Sequence, residues 1–254
     1  MTVTIEIAWI LTVVLAALRF GTVLALTPIF GAASVPGHLR ILFVVGITAV
    51  MVSGLQIQPA QLPISLGAFT LATLSELTLG ALLAFGVFTA FGAFLLAGRI
   101  MDIQLGFGVA SLIDPANRTP SPLLGTVLNL IAVALFFAVD GHHLLIRGLA
   151  FSFEHLPPGT LISQFDAGAV AAQFGGMFVY AVALAAPVLF VILLIDVVLA
   201  VIARSMPQVN VFIVSLPLKI FVGLTMLAIS LRYVAPLVAR IFESIFEYWH
   251  RVLT

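Results

Sequence analysis

The sequence predicts an all-α protein of the polytopic membrane type. Two observations carry that prediction. Hydrophobic residues make up 63% of the 254-residue chain and charged residues only 8%, where a soluble domain carries about 25% charged residues. The mean hydropathy is +1.29, and the apolar residues gather into runs long enough to cross a bilayer. A third observation qualifies the picture. Arg19, Glu76 and Asp196 lie inside those runs, and a charge at the centre of a bilayer costs at least ~2.5–3.5 kcal/mol. Parts of these helices must therefore face protein or water.

Composition removes several classes of function. The net charge is zero and no two basic residues are adjacent, so nucleic-acid binding has no electrostatic support. The chain has no cysteine, which excludes disulfides, thiolate metal sites and cysteine nucleophiles. Its opening residues, MTVTIEIAWIL, lack a basic leader and a small-residue cleavage site. They read as a retained first span.

The first apolar stretch runs from Ile7 to Phe30 and contains Arg19. Pro36, Gly37 and His38 mark a loop before the second run, Ile41 to Leu55. That run is too short for the ~30 Å hydrocarbon core at ~1.5 Å per residue. A turn-forming linker, Gln56 to Pro63, follows. The third run, Ile64 to Gly98, would reach ~52 Å as one helix. It must kink, fold into a hairpin or project beyond the membrane. Gly80, Ala84, Ala90, Ala93 and Ala97 recur in it at helical spacing and allow close helix contact.

Residues 99–122 read as a loop, Leu123 to Val139 as the fourth run, and Leu144 to Leu156 as an amphipathic helix at an interface or against a partner. Pro157, Pro158 and Gly159 stop it. The fifth long run, Ala169 to Ala203, holds Asp196 and Pro187. A kink is expected at Pro187. Arg204 to Lys219 reads as a connecting segment, and Ile220 to Ser230 as the sixth run. Residues 231–254 read as a strongly amphipathic C-terminal helix with apolar positions from Leu237 to Val252. The Lys and Arg distribution puts the N-terminus outside. Arg240 and Arg251 spoil that count, as do the overlong and short runs, so an ordinary six-span bundle is not expected.

The most informative loop is 99–122. Gly106 and Gly108 make it supple, while Phe107, Val109, Leu112 and Ile113 keep it apolar. Non-helical backbone at membrane depth survives only against protein or a water-filled cavity. Two readings stay open on composition: a movable pore plug, whose apolar side chains exclude water and ions, or a re-entrant packing loop. Glu76 and Asp196 read as partners in helix packing or as a proton relay, and Arg19 is able to pair with either. Asp140, His142 and His143 invite a metal reading, but neighbouring residues on a turn are expected to point apart. A capped helix end or an interfacial turn fits them better, so no metal ligand set and no cofactor are expected. No serine-hydrolase elbow, phosphate-binding loop or complete dinucleotide fingerprint is present.

Several stretches together resemble the FliR family of flagellar export-gate proteins, which includes virulence-type secretion counterparts. They are Ile103-Gln104-Leu105-Gly106-Phe107, Asp114-Pro115, Pro122-Leu123, Asp140-Gly141-His142, Ala186-Pro187, Arg204 with Pro207-Gln208, Phe212 and Pro217-Leu218, with Glu76 ahead of a glycine-rich helix. Their order and spacing from about Glu76 to Met226 carry the resemblance. Asp140 departs from it, since the family often has Asn there.

The resemblance implies a single export-gate domain over residues 1–254. Its helical hairpins would assemble with FliP-like and FliQ-like subunits into a helical, pore-forming gate raised from the bacterial inner membrane in the flagellar basal body. FlhB-like and FlhA-like proteins would join it. It implies a non-enzymatic task, the passage of unfolded rod, hook and filament proteins, and it favours the plug reading for Gly106 to Pro122. The expected plug residues are Gly106, Phe107, Gly108, Val109, Leu112, Ile113, Asp114 and Pro115. Arg204, Pro207, Gln208 and Pro217 form the expected family loop. The alternatives are a virulence secretion gate of the same family and a proton-coupled transporter using Glu76 and Asp196.

Overall fold

A computed structural model of the chain describes residues 7–28, 36–57, 65–107, 122–162, 165–206, 208 and 210–254. Among these residues the fold is all-α, with eight helices and no strand. They are α1 Ile7–Leu26, α2 Gly37–Gly54, α3 Leu66–Leu105, α4 Leu123–Ala138, α5 Gly141–His155, α6 Ala167–Ser205, α7 Val211–Ser230 and α8 Ala235–Leu253. By length and composition five of them are able to cross a membrane: α1, α2, α3, α6 and most of α7. Taking α4 and α5 as one broken span makes six, although the chain bends by 74° between them.

The third run forms one uninterrupted helix. α3 has 40 residues, roughly 60 Å at the usual rise. It contains no proline and is rich in Leu and Ala, which favour helix, so nothing in it demands a hairpin. α6 has 39 residues and continues through Pro187. α7 starts at Val211, so the segment expected to connect into it is itself largely helical, with Pro217 inside.

The chain divides into two compact units. The first comprises the stretches up to Thr89, from Leu135 to Gln173 and from Glu243 to Thr254. Within it α1 buries Thr12, Val13, Leu15, Ala16, Arg19, Phe20, Val23 and Leu24, a stripe that returns every three or four residues as one helix face must. α1 packs on α2, which buries Val44, Thr48, Met51 and Val52. Gly80 of α3 lets α1 come close: a Cβ there would stand 2.8 Å from the Arg19 carbonyl oxygen. α5 buries Leu145, Leu149, Ser152 and Phe153. Its apolar face is covered by its own unit, not by the interface or partner expected from sequence. Gly148 of α5 lies directly against the Trp249 ring of α8.

The second unit comprises Ala90–Ala134 and Phe174–Phe242. Here α3 buries Ala90, Phe91, Ala93, Phe94, Ala97, Met101 and Leu105. Phe242 of α8 packs against Phe91 and Phe94, with ring centroids 5.8 and 6.0 Å apart. Small residues again mark the crossings. Gly98 abuts the backbone of Gly125 in α4, and Gly92 lies under Met177 of α6.

Candidate functional site

The expected plug begins where α3 ends, and the local chemistry explains the stop. Gly106 adopts φ +83°, a left-handed conformation that only glycine takes without strain. Its amide donates to the Ile103 carbonyl at 3.2 Å, and the Phe107 amide donates to the Asp102 carbonyl at 3.0 Å. This pair of bonds is the Schellman termination, which satisfies carbonyls that the helix end would otherwise leave orphaned. The helix end is also docked sideways. Leu105 fits against Gly223 of α7, and a Cβ on Gly106 would stand 2.6 Å from Leu216. Gly106 therefore acts first as a helix stop seated on α7.

The other end of the loop is tied to the same place. Asp102, only 6% exposed, accepts from the Leu124 amide at 3.0 Å and the Gly125 amide at 3.4 Å. These are first-turn amides of α4, which have no partner within their own helix, and a carboxylate there also complements the helix dipole. α3 thus clasps the start of α4. Gly108, Val109, Leu112, Ile113, Asp114 and Pro115 fall outside the described residues.

The charges inside the apolar runs resolve into two pairs. Arg19 and Glu76 are both fully buried. The guanidinium meets the carboxylate through two bonds, Nε to Oε2 at 2.7 Å and Nη2 to Oε1 at 3.1 Å. Nη1 donates to the Ser152 carbonyl at 2.9 Å and to Ser152 Oγ at 3.2 Å, and Nη2 to the Leu156 carbonyl at 2.9 Å. All the guanidinium donors are used. The Gly159 amide donates to Glu76 Oε1 at 2.8 Å, and the Phe153 ring lies 4.9 Å from the guanidinium carbon. Beside Glu76, Ser75 Oγ donates to the Thr160 carbonyl and accepts from the Ile162 amide, at 2.8 and 3.0 Å. Ser75 and Glu76 therefore bind the α5–α6 connection to α3, with Arg19 holding the end of α5. Sequence reading missed Ser75, Ser152 and Gly159. The available signals were the polar Ser-Glu pair in an apolar run and the Pro-Pro-Gly turn that needs polar partners.

Asp196 pairs with Lys219, the chain's single lysine, at 2.5 Å. This pair is half-exposed, unlike the first. Arg204 sits in the last turn of α6 and is exposed, as is Gln208 in the following turn. Pro217 lies inside α7, and Pro207 is outside the described residues.

The Asp140–His143 turn differs from expectation. Donor atoms of Asp140, His142 and His143 lie within 4.8 Å of one another, whereas a turn was expected to point them apart. The reason is local. Asp140 adopts φ +57° immediately before α5, and residues three apart on a helix start share a face. A neighbouring apolar cleft of about 150 Å³ is lined by Phe20, Leu24, Phe43, Phe136, Phe137 and His142, among others.

The chain matches the model of a family described as bacterial export proteins, family 1, over residues 10–245. It is 31% identical to the flagellar biosynthetic protein FliR of Bacillus subtilis (strain 168) across 93% of this chain and 92% of that protein. It is 29% identical to the protein of the same name from Escherichia coli (strain K12), across 91% and 88%. Similarity to the Yop proteins translocation protein T of Yersinia pestis is 31% identity across 65% of this chain and 66% of that protein. With the family model spanning nearly its whole length, the chain belongs to the bacterial export proteins, family 1.

Proposed function

We propose that the chain is a non-enzymatic subunit of a flagellar type III protein-export gate. In this reading residues 1–254 act as one gate domain in the bacterial inner membrane at the flagellar basal body. The expected loop starts later than residue 99, because α3 continues to Leu105; the segment from Gly106 to Pro122 forms the pore plug, and unfolded rod, hook and filament proteins pass when that plug moves. The observation that carries the reading is the clasp between α3 and α4. Asp102 binds the first-turn amides of α4, and the Gly106 termination closes α3 one turn away, which in this reading anchors the plug at its base.

Two further observations support it. α3 and α6 are each about twice as long as a hydrocarbon core requires. Of the most apolar window of each helix, 61% is buried in α3 but only 22% in α6 and 11% in α7. Such faces take cover from outside the chain, and in this reading FliP-like and FliQ-like subunits, with FlhB-like and FlhA-like proteins, share that cover with lipid. Similarity extends over far more of the chain with the flagellar relatives than with the Yersinia protein, which favours the flagellar branch. The transporter alternative loses its main support, because Glu76 is paired with Arg19, accepts from the Gly159 amide and is fully buried.

The test is deletion of Phe107 to Leu112 in cells. Once the gate has assembled, the expected result is leakage of ions and small molecules across the inner membrane. Unchanged permeability would overturn the plug assignment. Asp102→Ala leaves α4 amides without their acceptor, at about 1–3 kcal/mol. The gate is expected to assemble still, but with reduced export and a measurable leak. Co-purification of the variant with FliP-like and FliQ-like chains checks the assembly, and wild-type export would contradict the clasp.

A further inference from the structure

We propose that Asp140, His142 and His143 form a binding site for one zinc-class divalent transition-metal ion. The export reading uses none of the three. Their donor atoms already lie within 4.8 Å of one another. A metal ion with ligand bonds of about 2.0–2.1 Å places its tetrahedral ligands roughly 3.3 Å apart. The Asp140 Oδ1 to His143 Nδ1 separation is 3.5 Å, so that pair is nearly at ligand spacing. The widest pair must close by roughly 1.5 Å on that scale, and the exposed side chains of Asp140 and His143 are free to turn that far.

Two observations speak against a merely capped helix end. Asp140 occupies the N-cap position of α5, yet its carboxylate makes no capping hydrogen bond. It lies towards His143 instead, at a distance too long for a good hydrogen bond. His142 Nδ1 is shielded from solvent and has no hydrogen-bond partner, although a buried polar nitrogen ordinarily finds one. The two imidazole rings lie 4.1 Å apart, which brings both to the same side of the turn as Asp140.

The donor set selects the class of ion. Two imidazole nitrogens and one carboxylate suit zinc and its neighbours, whereas magnesium and calcium prefer all-oxygen shells. Three protein ligands leave a coordination position for water. The His142 ring also lines the apolar cleft beside Phe137, and such a shell limits solvent access to a metal. A bound ion would brace the break between α4 and α5, where the chain bends by 74°.

The experiment titrates Co2+ into the full chain, purified in mild detergent without a histidine tag, and follows the visible absorption of the bound ion. One saturable equivalent is expected, displaced by Zn2+. His142→Ala, His143→Ala and Asp140→Asn are each expected to weaken Co2+ at least tenfold, and His250→Ala to leave it unchanged. Asp140→Asn keeps the shape of the side chain and guards against loss of fold, which helical circular dichroism checks. Absence of a saturable equivalent at millimolar Co2+, or an affinity unmoved in all three variants, would overturn the proposal.

Discussion

Glu76→Leu is expected to destabilise the chain by about 3–5 kcal/mol, because the buried Arg19 guanidinium would lose its counter-ion. Both groups are fully buried, so solvent cannot compensate. Arg19→Leu is expected to cost a similar amount. The combined variant, with leucine at both positions, should regain much of the loss, since an apolar pair often replaces a buried ion pair at little net cost. It should not regain all of it. The Leu156 carbonyl and the Gly159 amide would lose these partners, at about 1–3 kcal/mol for each group left unsatisfied, whereas the Ser152 carbonyl keeps the Leu156 amide. Thermal melting and purified yield in detergent measure this order. A Glu76→Leu protein that melts with the wild type would refute the clamp. Glu76→Gln separates packing from proton transfer. A clamp requires stability and export to fall together, whereas a relay would lose export at unchanged melting temperature.

Trp249→Ala is the second large effect, about 3–5 kcal/mol for a buried large aromatic. Its indole N–H donates to the Leu83 carbonyl at 2.8 Å, and its ring rests against Gly148. The adjacent Tyr248 hydroxyl donates to the Leu82 carbonyl at 3.1 Å. Burial pushes that phenol up to about 12, so it remains a donor throughout the physiological range. The two bonds fasten the end of α8 along α3. Trp249→Phe, which keeps an aromatic ring and loses the donor, should cost only about 1 kcal/mol. Gly148→Val should destabilise from the other side, by about 1–3 kcal/mol of overpacking. Melting curves rank the three, and hydrogen exchange should show α8 opening first. Wild-type melting in Trp249→Ala would show that this latch contributes nothing.

Much of the fold was legible because burial in this chain follows simple periods. The apolar runs announced the helices, and the α1 stripe from Thr12 to Leu24 keeps the spacing that any buried helix face must keep. Where reading failed, the deciding information was not local. An uninterrupted apolar run such as Ile64 to Gly98 is equally compatible with a hairpin or one long rod. In the structure it is one helix, with close neighbours at Gly80, Gly92 and Gly98. The start of α7 was missed because Pro207 and Pro217 read as breakers, yet proline is tolerated where neighbouring structure holds the helix. The Asp140 turn was misjudged because its left-handed backbone is invisible in composition.

The charges show the same division within the candidate site. That Arg19, Glu76 and Asp196 needed partners followed from residue type alone, since hydrocarbon does not solvate charge. Which partners they took depended on helix packing: Arg19 chose Glu76, and Asp196 took Lys219. Sequence alone determined the all-α membrane-type character, through hydropathy and period, and it marked residues 99–122 as unlike their surroundings. Tertiary structure decided that Asp102 ties the two ends of that loop together and that Ser75 and Glu76 hold the distant Pro157–Ile162 connection. The physical reason is that hydrophobic burial has no direction and can be read from a pattern, whereas hydrogen bonds and ion pairs require particular atoms within about 3 Å. Chain segments far apart in sequence meet at that distance only once the helices have packed.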